Sequence, residues 1–553
     1  MIGVIADIAE HEAVREFFEA FKTPWEFYGE GTRYDVVLCS GDFQFDSTAG
    51  LIVLYASGRT GFDDRQGIPT GQQRSQGCML SYRGSCIPIY AEAITFTNND
   101  DLLVDEHSHE SVVHLDRSGR ATFCRIGYNL FAELRTLLCV GQPIVNAAIP
   151  TLELHIAVLR ELISGCGISL VEIPPVPDGY EFIVCLTHDV DHPSICPHKW
   201  DHTAIGFLYR AVFGSLRNFI GGRISARDLL TNWEAALKLP FVYLGLADDF
   251  WRHFAERYLA IEEGVPSTFF VIPFQGRPGK SGNHGVAKLR SAKYGAEDVA
   301  DSIRKLRAAG CEVALHGIDA WVDGAAAEEE LAEIRRLTGA SDIGVRMHWL
   351  FYGEQSPLIL EQARAAYDST VGYNETVGYR AGTTQAYKPF GTKHLLELPL
   401  HIMDTALFYP AHLGLTPQQA EPYLQRMTED VVRFGGCLTI NWHDRSVAPE
   451  RLWGATYRHL LQDLKRRGAW FATAGQAASW FRKRRAATFE ADCERPGKVG
   501  VNVKGSHRES LPGLRLRIHQ HKSWDVSCNL SGELVGTALD DSSVDAYVSG
   551  TVH

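Results

Sequence analysis

No stretch of this 553-residue sequence reaches the roughly 18 consecutive apolar residues of a membrane span. Among its 12 cysteines no Cys-x-x-Cys pair occurs, which excludes the commonest redox and zinc-finger spacings. Several of them (Cys185, Cys311, Cys437) sit on or beside apolar runs, and buried free thiols in a reducing compartment are expected. Positive charge is short: 54 Lys and Arg stand against 67 Asp and Glu, a formal net charge of −13. That balance argues against a nucleic-acid or anionic-membrane partner, because binding phosphates needs clustered Lys and Arg. The short basic run Arg482-Lys-Arg-Arg485 suits the carboxyl end of a helix. Residues 1–11 lack a basic leader and acids interrupt their apolar run, so the expectation is a cytoplasmic protein without a signal peptide or an integral membrane segment. Low-complexity tracts and internal repeats are also missing. What is present is an ordinary globular composition, 45% hydrophobic and 22% charged, on a chain long enough for several domains.

Three regions are expected. Residues 1–165 read as a mixed α/β domain, with short strand candidates at 36–39, 51–55, 87–89 and 121–123 and a helical pattern over 151–162. Its one histidine pair, His107 and His109, lies among Asp105, Glu106 and Glu110 and reads as a solvated acidic loop. The proline-rich stretch 173–179 marks a boundary. Over 176–485 strands and helices alternate, which predicts a parallel sheet or barrel. Beyond 490, short alternating runs at 499–503, 514–518, 524–528 and 544–548 suggest a small β-rich domain over 490–553.

The middle region holds the chemistry. In Glu181-Phe-Ile-Val-Cys-Leu-Thr-His-Asp-Val-Asp-His192 an unbroken apolar run gives way to two acids and two histidines, as a buried strand does when it opens into a site at its carboxyl end. Such a crowd of charges implies a cation, a substrate or solvent to receive it. Further strand ends carry His316 and Asp319, Arg346 and His348, and His443 and Asp444. In repeated strand–helix folds the carboxyl ends of the strands form one face, so these separate addresses converge.

Leu186-Thr-His-Asp-Val-Asp-His192 resembles the first motif of the polysaccharide deacetylase (NodB-homology, carbohydrate esterase family four-like) superfamily. In the family's order follow Glu312-Val-Ala-Leu-His-Gly-Ile-Asp-Ala-Trp321, Gly344-Val-Arg-Met-His-Trp349, Leu398-Pro399 and Thr439-Ile-Asn-Trp-His443, across about 180–485. The resemblance implies a distorted (β/α) barrel that hydrolyses an amide, usually an N-acetyl group on a sugar, with a divalent metal, expected to be zinc with cobalt, manganese or nickel as alternatives. Carried over, it makes Asp189 the base, Arg346 the cation that keeps this carboxylate ionised, and His443 the acid for the departing amine. It makes Asp191 and His316 metal ligands. The family's second histidine is replaced by Ala320, so a third ligand is sought in His348, Asp319 or His192. Val190 separates the two acids, which leaves the roles of Asp189 and Asp191 open to exchange.

Trp349 and Trp442 are candidate sugar-stacking rings, and Arg380 and Asp319 candidate substrate contacts, each with a structural alternative. His198 and His202 have helical metal-pair spacing but read as substrate contact or solvated surface. Asp444 is a candidate partner for His443 or a turn cap. The expected substrate is a glycan or glycan precursor, with a nucleotide-linked or lipid-linked sugar favoured. A small non-sugar amide or ureide, and a non-catalytic carbohydrate-binding barrel, are the alternatives.

Overall fold

The run that opens the middle region forms a nine-residue strand, β1 (Phe182–Val190), with every residue buried. A strand covered on both faces has no solvent side, which is why its sequence is continuous rather than alternating. This is a computed structural model, and it describes residues 1–42, 47–97, 100–119, 121–199, 201–280, 290–491, 499–503, 511–519, 533–539 and 546–548. The chain divides into two units: Met1–Gly179 with Tyr379–Phe390 and Ser479–His553, and Tyr180–Gly378 with Gly391–Ala478.

In the second unit β1 lies amid β2 (Thr268–Val271), β3 (Glu312–Gly317), β4 (Val345–Met347), β5 (Ile402–Met403), β6 (Cys437–Asn441) and β7 (Ala469–Phe471). The order is β4-β3-β2-β1-β6-β5, with β7 also paired to β1. Every pair is parallel. Isolated parallel bridges from Val345 to Asp368 and from Asp368 to Glu397 carry the curl onward from β4. The architecture is mixed α/β with a curled parallel sheet, the distorted (β/α) barrel expected from the sequence. Its helices start and stop where local chemistry dictates: for Gly324–Thr338, Asp323 accepts from the Ala325 and Ala326 N–H groups, and Gly339 ends the helix at φ 66°.

The connection from β1 to β2 is long and helical. It holds α1 (His202–Leu208), a π-helical turn (Tyr209–Gly214), α2 (Ser215–Ile220), α3 (Ala226–Tyr243) and α4 (Phe254–Glu262). One stripe of it packs inward, where Phe207, Ala211, Ala235, Leu239 and Val242 meet Ile195, Trp251 and Ala448.

The first unit has a six-stranded sheet in the order Val113–Asp116, Thr122–Ile126, Leu51–Tyr55, Val36–Ser40, Ile2–Ile5, Trp25–Phe27. All its pairs are parallel except that of Val113–Asp116 with Thr122–Ile126. Leu514–His519, from the segment read as a separate β domain, pairs antiparallel with Leu170–Glu172 within this unit. The strand expected at 524–528 lies outside the described residues, as does part of that at 544–548. Among the described residues no helix is long and apolar enough to cross a membrane.

Candidate metal centre and its cleft

Strand alternation sorts the motif at the end of β1. Successive side chains point to opposite faces, so Thr187, Asp189 and Asp191 share one face and His188 takes the other. His188 is fully buried away from the cleft, its Nδ1–H donating to the Trp442 carbonyl (2.8 Å) and its Nε2 2.8 Å from Glu262 Oε1. A carbonyl only accepts, so the Nδ1 proton is fixed there. It belongs to the support of the strand rather than to the polar end it was read with.

Asp189 is held at both oxygens. Arg346 Nη1 donates to Oδ1 at 3.0 Å and Asn441 Nδ2 to Oδ2 at 2.8 Å. Arg346 is itself fixed by Thr187 Oγ1, the Ser369 carbonyl and Ser369 Oγ. Burial would raise the Asp189 pKa, but the Arg346 guanidinium above all, with the charge on His443, outweighs it and holds the carboxyl below its usual range. Asn441 has no role in the sequence reading, although it stands in the motif Thr439-Ile-Asn-Trp-His443, two residues before His443 on the same inward face.

Asp191, His316 and His348 form a group whose ligand atoms all lie within 4.8 Å of one another. His316 Nε2 is 3.3 Å and His348 Nε2 3.5 Å from the same oxygen, Asp191 Oδ1. His316 Nδ1–H donates to the Arg346 carbonyl at 3.0 Å, which in the neutral ring leaves Nε2 as a bare lone pair aimed at the carboxylate. Burial pushes the His348 imidazole down to about 3, so it is neutral, and its Nδ1 has no hydrogen-bond partner. Asp191 Oδ1, though buried, has none either. Two imidazole Nε2 atoms face one buried carboxylate oxygen that has no hydrogen-bond partner, so the residues fit a divalent ion. The carbonyl that orients His316 is the kind of support that fixes a ligating imidazole.

On the other side of Asp191, His443 Nε2 stands 3.8 Å from Oδ2. Its Nδ1 is 2.6 Å from Asp404 Oδ1, and its backbone N–H donates to Asp404 Oδ2 at 2.7 Å. Burial disfavours the imidazolium, yet Asp404 above all, with Asp191 and Asp189, raises the His443 pKa to about 10. Asp404, at the end of β5, is therefore the partner of His443. Asp444 accepts instead from the backbone N–H groups of His192 and Arg445. A lone acid after a two-residue strand gives no periodic signal, which is why Asp404 was missed.

The group opens into a cleft of about 1350 Å³ lined by Asp189, Asp191, His316, His348 and His443. Trp349, 41% exposed, also lines it. Trp442 does not: it follows Asn441 onto the outward face and is fully buried against Tyr457 and Phe408. Asp319 is likewise not among the lining residues, its Oδ1 accepting from the Lys280 backbone N–H at 2.6 Å. Arg380 falls in the first unit, where its carbonyl accepts from the Gln142 backbone N–H. His192, His198 and His202 line the cleft, but among the described residues the metal-pair spacing of His198 and His202 makes no ligand group. His198 Nδ1–H donates to Asp201 at 2.8 Å, and its Nε2 is 3.2 Å from His192 Nδ1.

No protein-family model and no curated protein sequence matches the chain. Among solved structures it is similar to a protein from Mycobacterium smegmatis described as a polysaccharide deacetylase, at 20% identity and a TM-score of 0.35, over 56% of this chain and 94% of that one. Puue allantoinase matches at 15% identity and a TM-score of 0.33, over 55% and 91% of the two chains. The peptidoglycan deacetylase PdaC from Bacillus subtilis matches at 12% and 0.25, over 56% and 95%. The chain is similar to polysaccharide deacetylases of known structure over a little more than half its length.

Proposed function

We propose that the second unit is a metal-dependent hydrolase that removes an N-acyl group, with N-acetyl first in line, from a carbohydrate or a nucleotide- or lipid-linked sugar. The observation that carries this reading is the pair of imidazole Nε2 atoms facing one buried, otherwise unpartnered carboxylate oxygen. Asp191, His316 and His348 would hold the ion, for which zinc is the leading candidate, and when bound it supplies Lewis acidity at the amide carbonyl. Asp189, ionised and clamped by Arg346 and Asn441, is the acceptor for the proton of the attacking water. His443 carries a proton on Nε2, kept there by Asp404 on its Nδ1 side, and delivers it to the departing amine. The exposed Trp349 ring offers a flat apolar face for a sugar.

The test is elemental analysis of chelator-free protein alongside acetate release from acetylated sugars. About one equivalent of a divalent ion is expected in the wild type, lost in Asp191→Ala and His316→Ala together with acyl release. A wild type that takes up no ion when supplied with zinc, cobalt, manganese or nickel overturns the reading. Turnover of a ureide but of no acetylated sugar would move the substrate to the non-sugar alternative.

A further inference from the structure

The end of the cleft formed by the π-helical turn and the segment after β6 is lined by three arginines, Arg210, Arg445 and Arg451, around one phenol, Tyr409. Arg451 is only 6% exposed. Its Nη2 donates to Tyr409 Oη at 2.6 Å, and its guanidinium lies 4.7 Å from the centroids of the Tyr409 and Trp453 rings, while Nε and Nη1 have no hydrogen-bond partner. Arg445 reaches the same phenol at 3.5 Å, and the Arg210 Nε is also buried without a partner. None of the three makes an ion pair with a carboxylate among the described residues; the neighbouring acid Glu450 accepts at Oε1 from Trp251 Nε1–H at 3.0 Å, and its buried Oε2 has no hydrogen-bond partner. Burial would raise the Tyr409 pKa, but Arg451 and Arg445 bring it down to about 7, a measure of how positive this end is. Burial and the neighbouring Arg451 likewise lower Arg210 to about 10.

Buried guanidinium N–H groups without acceptors cost free energy unless a ligand satisfies them. A carboxylate answers one guanidinium fork; a phosphoryl group has three terminal oxygens and nearly two negative charges, enough for three. We propose that this end of the cleft binds a phosphoryl group carried by the molecule whose acyl group is processed at the Asp191–His316–His348 end. Calling that molecule the substrate rests on the hydrolase reading; the anion site does not.

Isothermal titration of the full chain with inorganic phosphate, before and after chelation, tests it. Wild type should bind phosphate in both states. Arg451→Gln should bind about 10–100-fold more weakly, the loss expected for hydrogen bonds to a charged group. Arg210→Gln, at a half-buried position, should show the same direction if Arg451→Gln does not fold, and both should keep their metal content. No binding to wild type, unchanged binding in both variants, or acetate binding as tightly as phosphate overturns the proposal. Phosphate binding without any acyl release would sink the hydrolase reading and leave the anion site standing; acyl release without phosphate binding does the reverse. Tighter binding of a nucleoside diphosphate or of farnesyl phosphate would support the site and name which phosphate ester it takes.

A different observation carries a second inference. On α1, the π-helical turn and α2, the exposed Ile205, Leu208, Tyr209, Phe213, Leu216, Phe219 and Ile220 recur every three or four residues and share one face. On α3 the exposed Leu230, Trp233, Leu237 and Phe241 make a second stripe. These helices are apolar inward and apolar outward. Over 202–227 the chain has Arg210, Arg217, Arg223 and Arg227 but no Asp or Glu, against −13 for the whole. We infer that this face docks on an anionic bilayer surface, since an apolar stripe flanked by the exposed Arg217, Arg223 and Arg227 is the make-up of an interfacial helix. Full-length protein should float with vesicles of phosphatidylcholine and phosphatidylglycerol, more than with phosphatidylcholine alone. Phe213→Ser with Phe219→Ser should abolish flotation without lowering the melting temperature. No flotation overturns the inference, as does a dimer in sedimentation that these substitutions dissociate, which would make the face a self-association surface.

Discussion

Asp404 does for His443 what no neighbour in sequence does: one oxygen accepts from the imidazole and the other from the backbone of the same residue, fixing ring and main chain together. In Asp404→Asn the His443 pKa should fall, because Asp404 contributes most to raising it. The alkaline limb of the kcat profile should then move to lower pH with metal content unchanged. His443→Ala should lower kcat by about 10²–10⁴-fold, the usual worth of a positioned general acid. Alternation made part of this legible in the sequence: with Asp189 inward, Thr187 and Asp191 go with it and His188 does not, and with His443 inward, Asn441 follows and Trp442 turns away. Asp191 and His316 could be named because each ends its own apolar strand, and His348 is one of three residues the sequence offers for the third place. Asp404 could not, since its partner lies 39 residues on and only the fold brings the two together.

At the scale of elements, β1 is anchored from behind by a polar knot. His188 bonds Glu262 of α4, which also accepts from Ser267 Oγ and Tyr457 Oη, the last from helix Gly454–Arg466. All four are buried. Removing one partner strands the others, so His188→Ala should cost about 3–5 kcal/mol in urea unfolding, with metal affinity weakened only as β1 loosens. The parallel strands were readable because strands covered on both faces leave continuous apolar runs. Helices α1 to α3 were not: apolar residues on two faces blur the single stripe by which an amphipathic helix is recognised. The same property that hid them is what marks their outer face as a docking surface.

For the molecule as a whole, acid stability is set partly in the first unit. Burial pushes the His155 imidazole there down to about 3, beside Tyr128 Oη at 3.1 Å. Its folded pKa lies below the unfolded value, so below about pH 6.5 the unfolded chain takes up a proton that the folded one refuses. The stability this neutral imidazole allows is complete above that pH and is lost as pH falls towards 3. Glu133 and Glu153, both raised to about 7 by burial, act in the opposite sense and cloud the raw profile. The difference between wild type and His155→Phe isolates the term: as pH drops below 6.5 it should change by about 1.4 kcal/mol per unit in favour of the variant. A difference independent of pH would show that His155 is not the group responsible.

The turn after β4 sets stability against use. Trp349 and Leu350 stand consecutively at φ 63° and 54°, a left-handed conformation that costs a bulky side chain on the order of 1 kcal/mol or more at each position. That turn is what lifts the Trp349 ring out of the protein directly after His348. Glycine at 349 would adopt the same backbone without strain, so Trp349→Gly should melt no lower than wild type while its KM rises, and Trp349→Phe should keep both the strain and most of the affinity. Selection for robustness alone would thus erase the ring, and a stabilised version of this protein is the one in which to look first for a lost substrate.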